Sequence, residues 1–204
     1  PSLTLAISAR AKALQQEGRD ICSLSAGEPD FDTPPFIVEA SIQALRDGIT
    51  RYGPSAGDPA LRQAIATKIT NENGLPTTAD EVLVTNGGKQ AIFNLFQVLL
   101  NPGDEVLIPA PYWLSYPEIA RLAGARPISV PSSAHNGFCL DVHALEAAIT
   151  PATRLLVINS PGNPTGRVLS LDELQQLAEL VRRHPRLLVI CLLYTSDAAD
   201  EVVS

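Results

Sequence analysis

The chain has 204 residues, of which 45% are hydrophobic, 18% charged and 5% aromatic, the composition of an ordinary globular protein. Its 22 acidic and 15 basic side chains leave a net charge of −7, which argues against nucleic acid as a partner, because a phosphate backbone calls for a basic face. The longest apolar run, Leu187 to Tyr194, is eight residues, far short of the roughly 20 that a membrane-crossing helix needs.

No secretory leader is evident at the start. The chain lacks methionine and opens on Pro1, so the start of the reading frame is expected to be missing. Cys22, Cys139 and Cys191 are odd in number and unpaired in pattern, which suits reduced thiols in a cytoplasmic protein rather than a disulfide framework or a zinc site. His135, His143 and His184 show no ligand spacing, and no metal is expected.

In chain order, Ile7, Ala11 and Leu14 share one face of a first helix that stops at Gly18. A short apolar stretch, Ile21 to Leu24, runs into the loop Ala26-Gly-Glu-Pro-Asp-Phe-Asp-Thr-Pro34. Thr33 is placed to cap a second helix ending at Gly48. Asp58-Pro59 opens a third, with Leu61, Ile65 and Ile69 a turn apart and Gly74 as its stop. From residue 81 the pattern alternates. Val82 to Thr85 reads as a buried strand, Ala91 to Leu100 as a helix with Ile92, Leu95, Phe96 and Leu99 inward, and Val106 to Ile108 as a strand. A short helix from Tyr116 to Leu122, a strand from Arg126 to Val130, a brief helix capped by Asp141 and a strand from Arg154 to Ile158 follow. Ser170 and Glu173 form a capping box for a helix reaching Arg183, and Leu187 to Ile190 is a last buried strand. Strands made of near-continuous Val, Ile and Leu, separated by helices, indicate an α/β fold with a mostly parallel sheet covered on both faces.

Ligands of such sheets gather at the carboxyl ends of the strands, where three loops stand out. Thr85-Asn-Gly-Gly-Lys-Gln90 combines paired glycines with a helix start, which suits an anion, and equally reads as a tight strand–helix turn. It matches neither the Walker nor the GxGxxG spacing. Pro109-Ala-Pro-Tyr-Trp-Leu-Ser-Tyr116 holds the single tryptophan, whose ring suits a planar heteroaromatic or simply fills the core. Asn159-Ser-Pro-Gly-Asn-Pro-Thr-Gly166 is a conformationally fixed turn able to present an amide, although Asn-Pro also begins ordinary turns.

Taken together with Ala26-Gly-Glu-Pro-Asp-Phe-Asp-Thr-Pro34 and Arg51-Tyr-Gly53, these loops resemble those of the fold-type I, pyridoxal-phosphate-dependent aminotransferases of class I/II, in their aspartate aminotransferase-like branch, from about Ser8 to Ile190. The resemblance implies a three-layer α/β/α large domain and transfer of an amino group between an amino acid and a 2-oxo acid through pyridoxal 5'-phosphate. It implies that Gly87, Gly88 and Lys89 wrap the cofactor phosphate, Trp113 stacks on the pyridine ring, Asn163 binds the phenolic oxygen, and Tyr52 reaches the phosphate of a partner subunit in a homodimer. On the substrate side it implies Gly27, with Trp113, Asn163 and Lys89, the last meeting a distal carboxylate. The Ala110–Pro111 and Asn163–Pro164 bonds are implied to be cis.

The chain departs from that family after Ile190. In place of the family's Asp-Glu-[Ile/Val]-Tyr segment it reads Cys191-Leu-Leu-Tyr-Thr-Ser-Asp-Ala-Ala-Asp-Glu201, similar to the in-frame translation of a sequencing adapter; a nucleotide sequence unlike that adapter would remove the idea. The expected layout is a small-domain segment over 1–30, an incomplete cofactor domain over 31–190 and a non-native tail over 191–204. Neither the ring-nitrogen aspartate nor the Schiff-base lysine has a match here; the lysines are Lys12, Lys68 and Lys89 alone. Two later strands of the family's sheet also lack a counterpart, so the fragment is expected to be marginally folded, prone to aggregate and without activity. The other readings are a pyridoxal-phosphate-dependent lyase of the same fold, the aminotransferase-like effector domain of a regulator, and a plain nucleotide-binding α/β domain.

Overall fold

A computed structural model describes residues 3–22 and 31–193, with side chains from 6–22 and 31–192. Two compact units divide within the second helix, between Ile42 and Gln43.

The first unit contains α1 (Leu3–Gln16), which closes where the Gly18 and Arg19 amides donate back to Gln15 and Leu14 with Gly18 left-handed. It also holds the start of α2 (Pro35–Arg46). The first bonds of α2 go to the Pro34 carbonyl, from the amides of Ile37 and Val38. Pro34 therefore stands at the N-cap, one residue beyond the Thr33 expected there.

The second unit, Gln43–Leu193, carries the sheet. Asp58 caps α3 (Pro59–Asn73) by accepting from the Ala60 and Leu61 amides, and Gly74 ends it in the left-handed region. Ala66, rather than the exposed Leu61, is its buried contact. Then follow α4 (Gly87–Leu99), β1 (Glu105–Pro109), α5 (Ser115–Leu122), β2 (Arg126–Val130), α6 (Val142–Ala147), β3 (Thr153–Ser160), α7 (Leu171–Arg183) and β4 (Leu188–Leu193).

The four strands are all parallel, in the order β2-β1-β3-β4. Alternate side chains feed two cores. Val106, Ile108, Leu155, Val157 and Ile190 pack with Ile92 and Phe96 of α4 and with Tyr116, Ile119 and Ala120 of α5. Leu107, Leu156 and Ile158 pack with Val142 and Leu145 of α6 and Leu177 and Leu180 of α7. Helices thus cover both faces, the three-layer arrangement that hydrophobic strands require.

At the amino edge of the sheet, buried Glu105 accepts from Thr150 Oγ1 (2.6 Å), Thr153 Oγ1 (3.1 Å) and the Arg126 guanidinium. The Thr150 hydroxyl is the main reason its carboxyl lies below the usual range; burial pulls the other way, and Arg126 adds to the lowering. One carboxylate fixes the starts of three strands.

Three further expectations are corrected. Val82–Thr85 is no strand: Val82 is extended, but Val84 donates its amide to the loop carbonyl of Ala56, and Leu83 is exposed. Strand formation requires a neighbour, and among the described residues no strand pairs with this segment. Leu95 faces outward with Phe93 and Val98, because the buried stripe of α4 follows Ile92 and Phe96 one turn apart. β4 continues past Ile190 to Leu193, since Cys191, Leu192 and Leu193 keep pairing with Ile158, Asn159 and Ser160. Residues 194–204 lie outside the described residues, as does Gly27.

Candidate functional site

The order β2-β1-β3-β4 means that the chain leaves β1 for one side, to β2, and returns on the other, to β3. Neighbouring loops diverge at such a switch point and leave a crevice at the carboxyl ends of the strands. A cleft of about 70 Å³ opens there. Ile108, Pro109, Ala110 and Pro111 wall it from β1, and Val157, Ile158, Asn159, Gly162 and Asn163 from β3.

Short bonds set both turns. Ala110 donates to the Val130 carbonyl at 2.8 Å, and its own carbonyl accepts from Ser132 Oγ. Ala110–Pro111 and Asn163–Pro164 are cis as expected, and Ser160–Pro161 is cis as well. Gly162 donates to Arg167 O (2.8 Å), Gly166 to Gly162 O (2.6 Å) and Leu169 to Ser160 Oγ (3.0 Å). A Cβ on Gly162 would lie 3.0 Å from Thr165 Oγ1, closer than ordinary contact, so the turn is tight there.

The Thr85–Gln90 loop meets the loop of Trp113. Gly87 adopts φ +77° at the start of α4 and donates its amide to Thr85 O at 2.9 Å, while Asn86 donates to Gln90 Oε1 at 2.6 Å. The Gly88 and Lys89 amides fall in the open first turn, where a helix has no acceptor of its own. A Cβ on Gly88 would touch nothing within 4 Å, so the space beside the turn is free. Lys89 Nζ lies 4.9 Å above the Trp113 ring, and Trp113 stands edge-on to Tyr116 with centroids 5.5 Å apart. Tyr116 is fully buried and also lines the cleft. Gly87, Gly88, Lys89 and Trp113 are thus brought together, while Asn163 lines the cleft that Tyr116 also lines. Tyr52 lies fully exposed and takes no part in this group.

Sequence reasoning passed over three participants. Asn159 lines the cleft with both carboxamide atoms buried and unpartnered; it lay inside a singled-out loop, yet nothing in its spacing separated it from Asn163. Arg167 also lines the cleft, and its Nη2 donates to Glu173 Oε2 at 2.7 Å. Burial would raise the Glu173 carboxyl, but bonds from Arg167, Ser170 and Leu140 outweigh it and bring it to about 2. The capping box was legible; the inward-facing carboxylate was not.

These features suit a planar heteroaromatic phosphate. Free amides and open space at the start of α4 fit an anion, an indole beside them offers a flat surface, and orphaned Asn159 needs a partner from the cleft. The profile of the aminotransferase class I and II family matches residues 19–194. The chain belongs to that family. Enzymes of the aminotransferase class I and II family use pyridoxal phosphate. The chain is 55% identical over 190 residues to the bifunctional aspartate aminotransferase and glutamate/aspartate-prephenate aminotransferase of Petunia hybrida, covering 93% of this chain and 40% of that one. It is 50% identical to the aspartate/prephenate aminotransferase of Thermus thermophilus, covering 93% and 49%. A solved Thermus thermophilus aspartate aminotransferase with maleate superposes with a TM-score of 0.89 at 49% identity, covering 94% of this chain and 50% of that one. The chain therefore spans about half the length of the curated relatives it matches. No helix among the described residues is long and apolar enough to cross a membrane.

Proposed function

We propose that this aminotransferase-family chain forms the ring- and phosphate-recognising half of a pyridoxal-phosphate site in a protein that transfers an amino group between an aspartate-type amino acid and a 2-oxo acid. The unpartnered, buried carboxamide of Asn159 at the switch-point cleft carries this reading: no ordinary core leaves both ends of an amide unbonded. Pyridoxal phosphate, when bound, supplies the electron sink for bond changes at the substrate's α-carbon. The chain's own residues bind and orient. Gly88 and Lys89 offer backbone amides to the phosphate, with Gly87 setting the turn; Trp113 supplies the stacking face, and Asn163 and Asn159 supply amide donors and acceptors. The ammonium of Lys89, over the Trp113 ring, fits a distal substrate carboxylate. Gly27 is proposed as a further substrate contact.

A homodimer and a cytoplasmic location complete the proposal. Fully exposed Tyr52 and the outward Phe36, Leu45 and Ile49 support the first; three free cysteines support the second.

By itself the chain is proposed to be inactive, because none of its lysines serves the cleft as a covalent anchor. Lys89 lies over Trp113, Lys68 pairs with Glu72 at 3.8 Å, and Lys12 is on α1. Titration with pyridoxal phosphate is expected to quench the emission of Trp113, the sole indole, while an aspartate-to-2-oxoglutarate transamination assay gives no turnover. Unchanged emission would remove the cleft assignment; turnover would remove the inactivity.

A further inference from the structure

One carboxylate joins two walls of the cleft. Glu173, in the first turn of α7, is 8% exposed. Its Oε2 accepts from Arg167 Nη2 at 2.7 Å and from the Ser170 amide at 2.9 Å, and its Oε1 accepts from the Leu140 amide at 2.7 Å. The Arg167 bond anchors the end of the turn carrying Asn163, which is also closed by the Gly162 amide on Arg167 O, the Gly166 amide on Gly162 O and the Leu169 amide on Ser160 Oγ. The Leu140 bond anchors a different segment. There Phe138, which lines the cleft, holds φ +60°, a left-handed conformation that a bulky side chain adopts only under constraint. Arg167 reaches that segment too, through Cys139 Sγ at 3.2 Å, and Cys139 in turn donates to Asn136 O at 2.9 Å.

A helix cap alone would need only the bonds between Ser170 and Glu173. The remaining contacts reach 33 residues back along the chain to Leu140 and buttress a strained turn. We propose that Glu173 is a positioning residue: through Arg167 and the Leu140 amide it holds the Asn163 turn and the Phe138 turn at the spacing that admits the ligand's ring. This rests on the cofactor reading of the cleft.

The test uses the full chain and pyridoxine 5'-phosphate, which has no aldehyde and cannot react with surface lysines, with Trp113 emission as readout. Glu173→Ala is expected to weaken binding about tenfold or more, a size that the loss of a charge-assisted bond makes ordinary. Glu173→Gln has a single acceptor oxygen, so it keeps either the Ser170 and Arg167 bonds or the Leu140 bond, and restores part of the affinity. Amide exchange is expected to quicken at 138–140 and 162–167 while β1 and β3 stay protected. Gly124→Ala, which is strained at φ +78° and meets Pro102 at the amino edge of the sheet, away from the cleft and the glycine turn, leaves the affinity unchanged. Equal affinity for parent and Glu173→Ala overturns the proposal, as does exchange that quickens evenly through the sheet. A parent that binds no probe overturns the cofactor reading and the ring-positioning role together, and the exchange pattern then shows whether Glu173 still couples the two turns.

Discussion

Lowering the pH should strip this protein of one identifiable contribution to its stability. The Glu173 carboxyl, ordinarily near 4.5, is brought to about 2 in the folded chain. Because the folded value is depressed, the stabilisation is fully present above pH 4.5 and disappears as the pH falls toward 2. The gap corresponds to about 3 kcal/mol at neutral pH, of which about 1 kcal/mol remains at pH 3. The side chain is nearly buried, so solvent screens little of this. Urea unfolding followed by Trp113 emission, for the parent and for Glu173→Gln at pH 7, 5, 4 and 3, isolates the group, because every other carboxylate is common to both. The advantage of the parent is expected to shrink by about 2 kcal/mol between pH 7 and pH 3. A difference that stays constant across that range would refute the argument that the carboxylate is held ionised by its three bonds.

Three other outcomes are expected. Asn159→Leu should stabilise the ligand-free chain by about 1–3 kcal/mol, since it removes two buried unpaired polar atoms, yet lose pyridoxine 5'-phosphate binding; chemical denaturation and Trp113 quenching check the two halves separately. Gly57→Ala should cost about 1–3 kcal/mol in denaturant, because Gly57 has φ +104° and a Cβ there would lie 2.6 Å from Val84 Cγ2. Lys89→Gln should shift the Trp113 emission maximum and cost about 0.5–1 kcal/mol, through loss of the cation 4.9 Å above the ring; an unshifted spectrum would deny that contact in solution.

Much of the fold was legible because local signals agreed with one another. Asp58, Asp141 and Ser170 cap the helices that they precede, and Arg126–Val130 forms the expected strand to the residue. Val82–Thr85 was misread for a physical reason. Its short apolar run is indistinguishable from that of a paired, buried strand, and whether a neighbour exists is a tertiary fact that no window of sequence contains. Leu95 fails likewise: a helix as apolar as α4 leaves the choice of buried stripe to packing. At the site, the glycine turn, the indole and Asn163 were readable as unusual local chemistry. Glu173 was not, because a capping glutamate and a buried clamp have the same letters, and only the approach of Leu140 and Arg167 distinguishes them.

The outer margin of β4 has a directional consequence. Leu188–Leu193 lies at one end of the four-stranded order with its far-side amides and carbonyls unmatched among the described residues, a ready template for another backbone. All four strands point the same way, so any extended segment joining there with the same polarity would end at the rim that holds Asn159 and Asn163. Whatever side chains follow such a segment would be delivered to the mouth of the crevice without any rearrangement of the turns already in place.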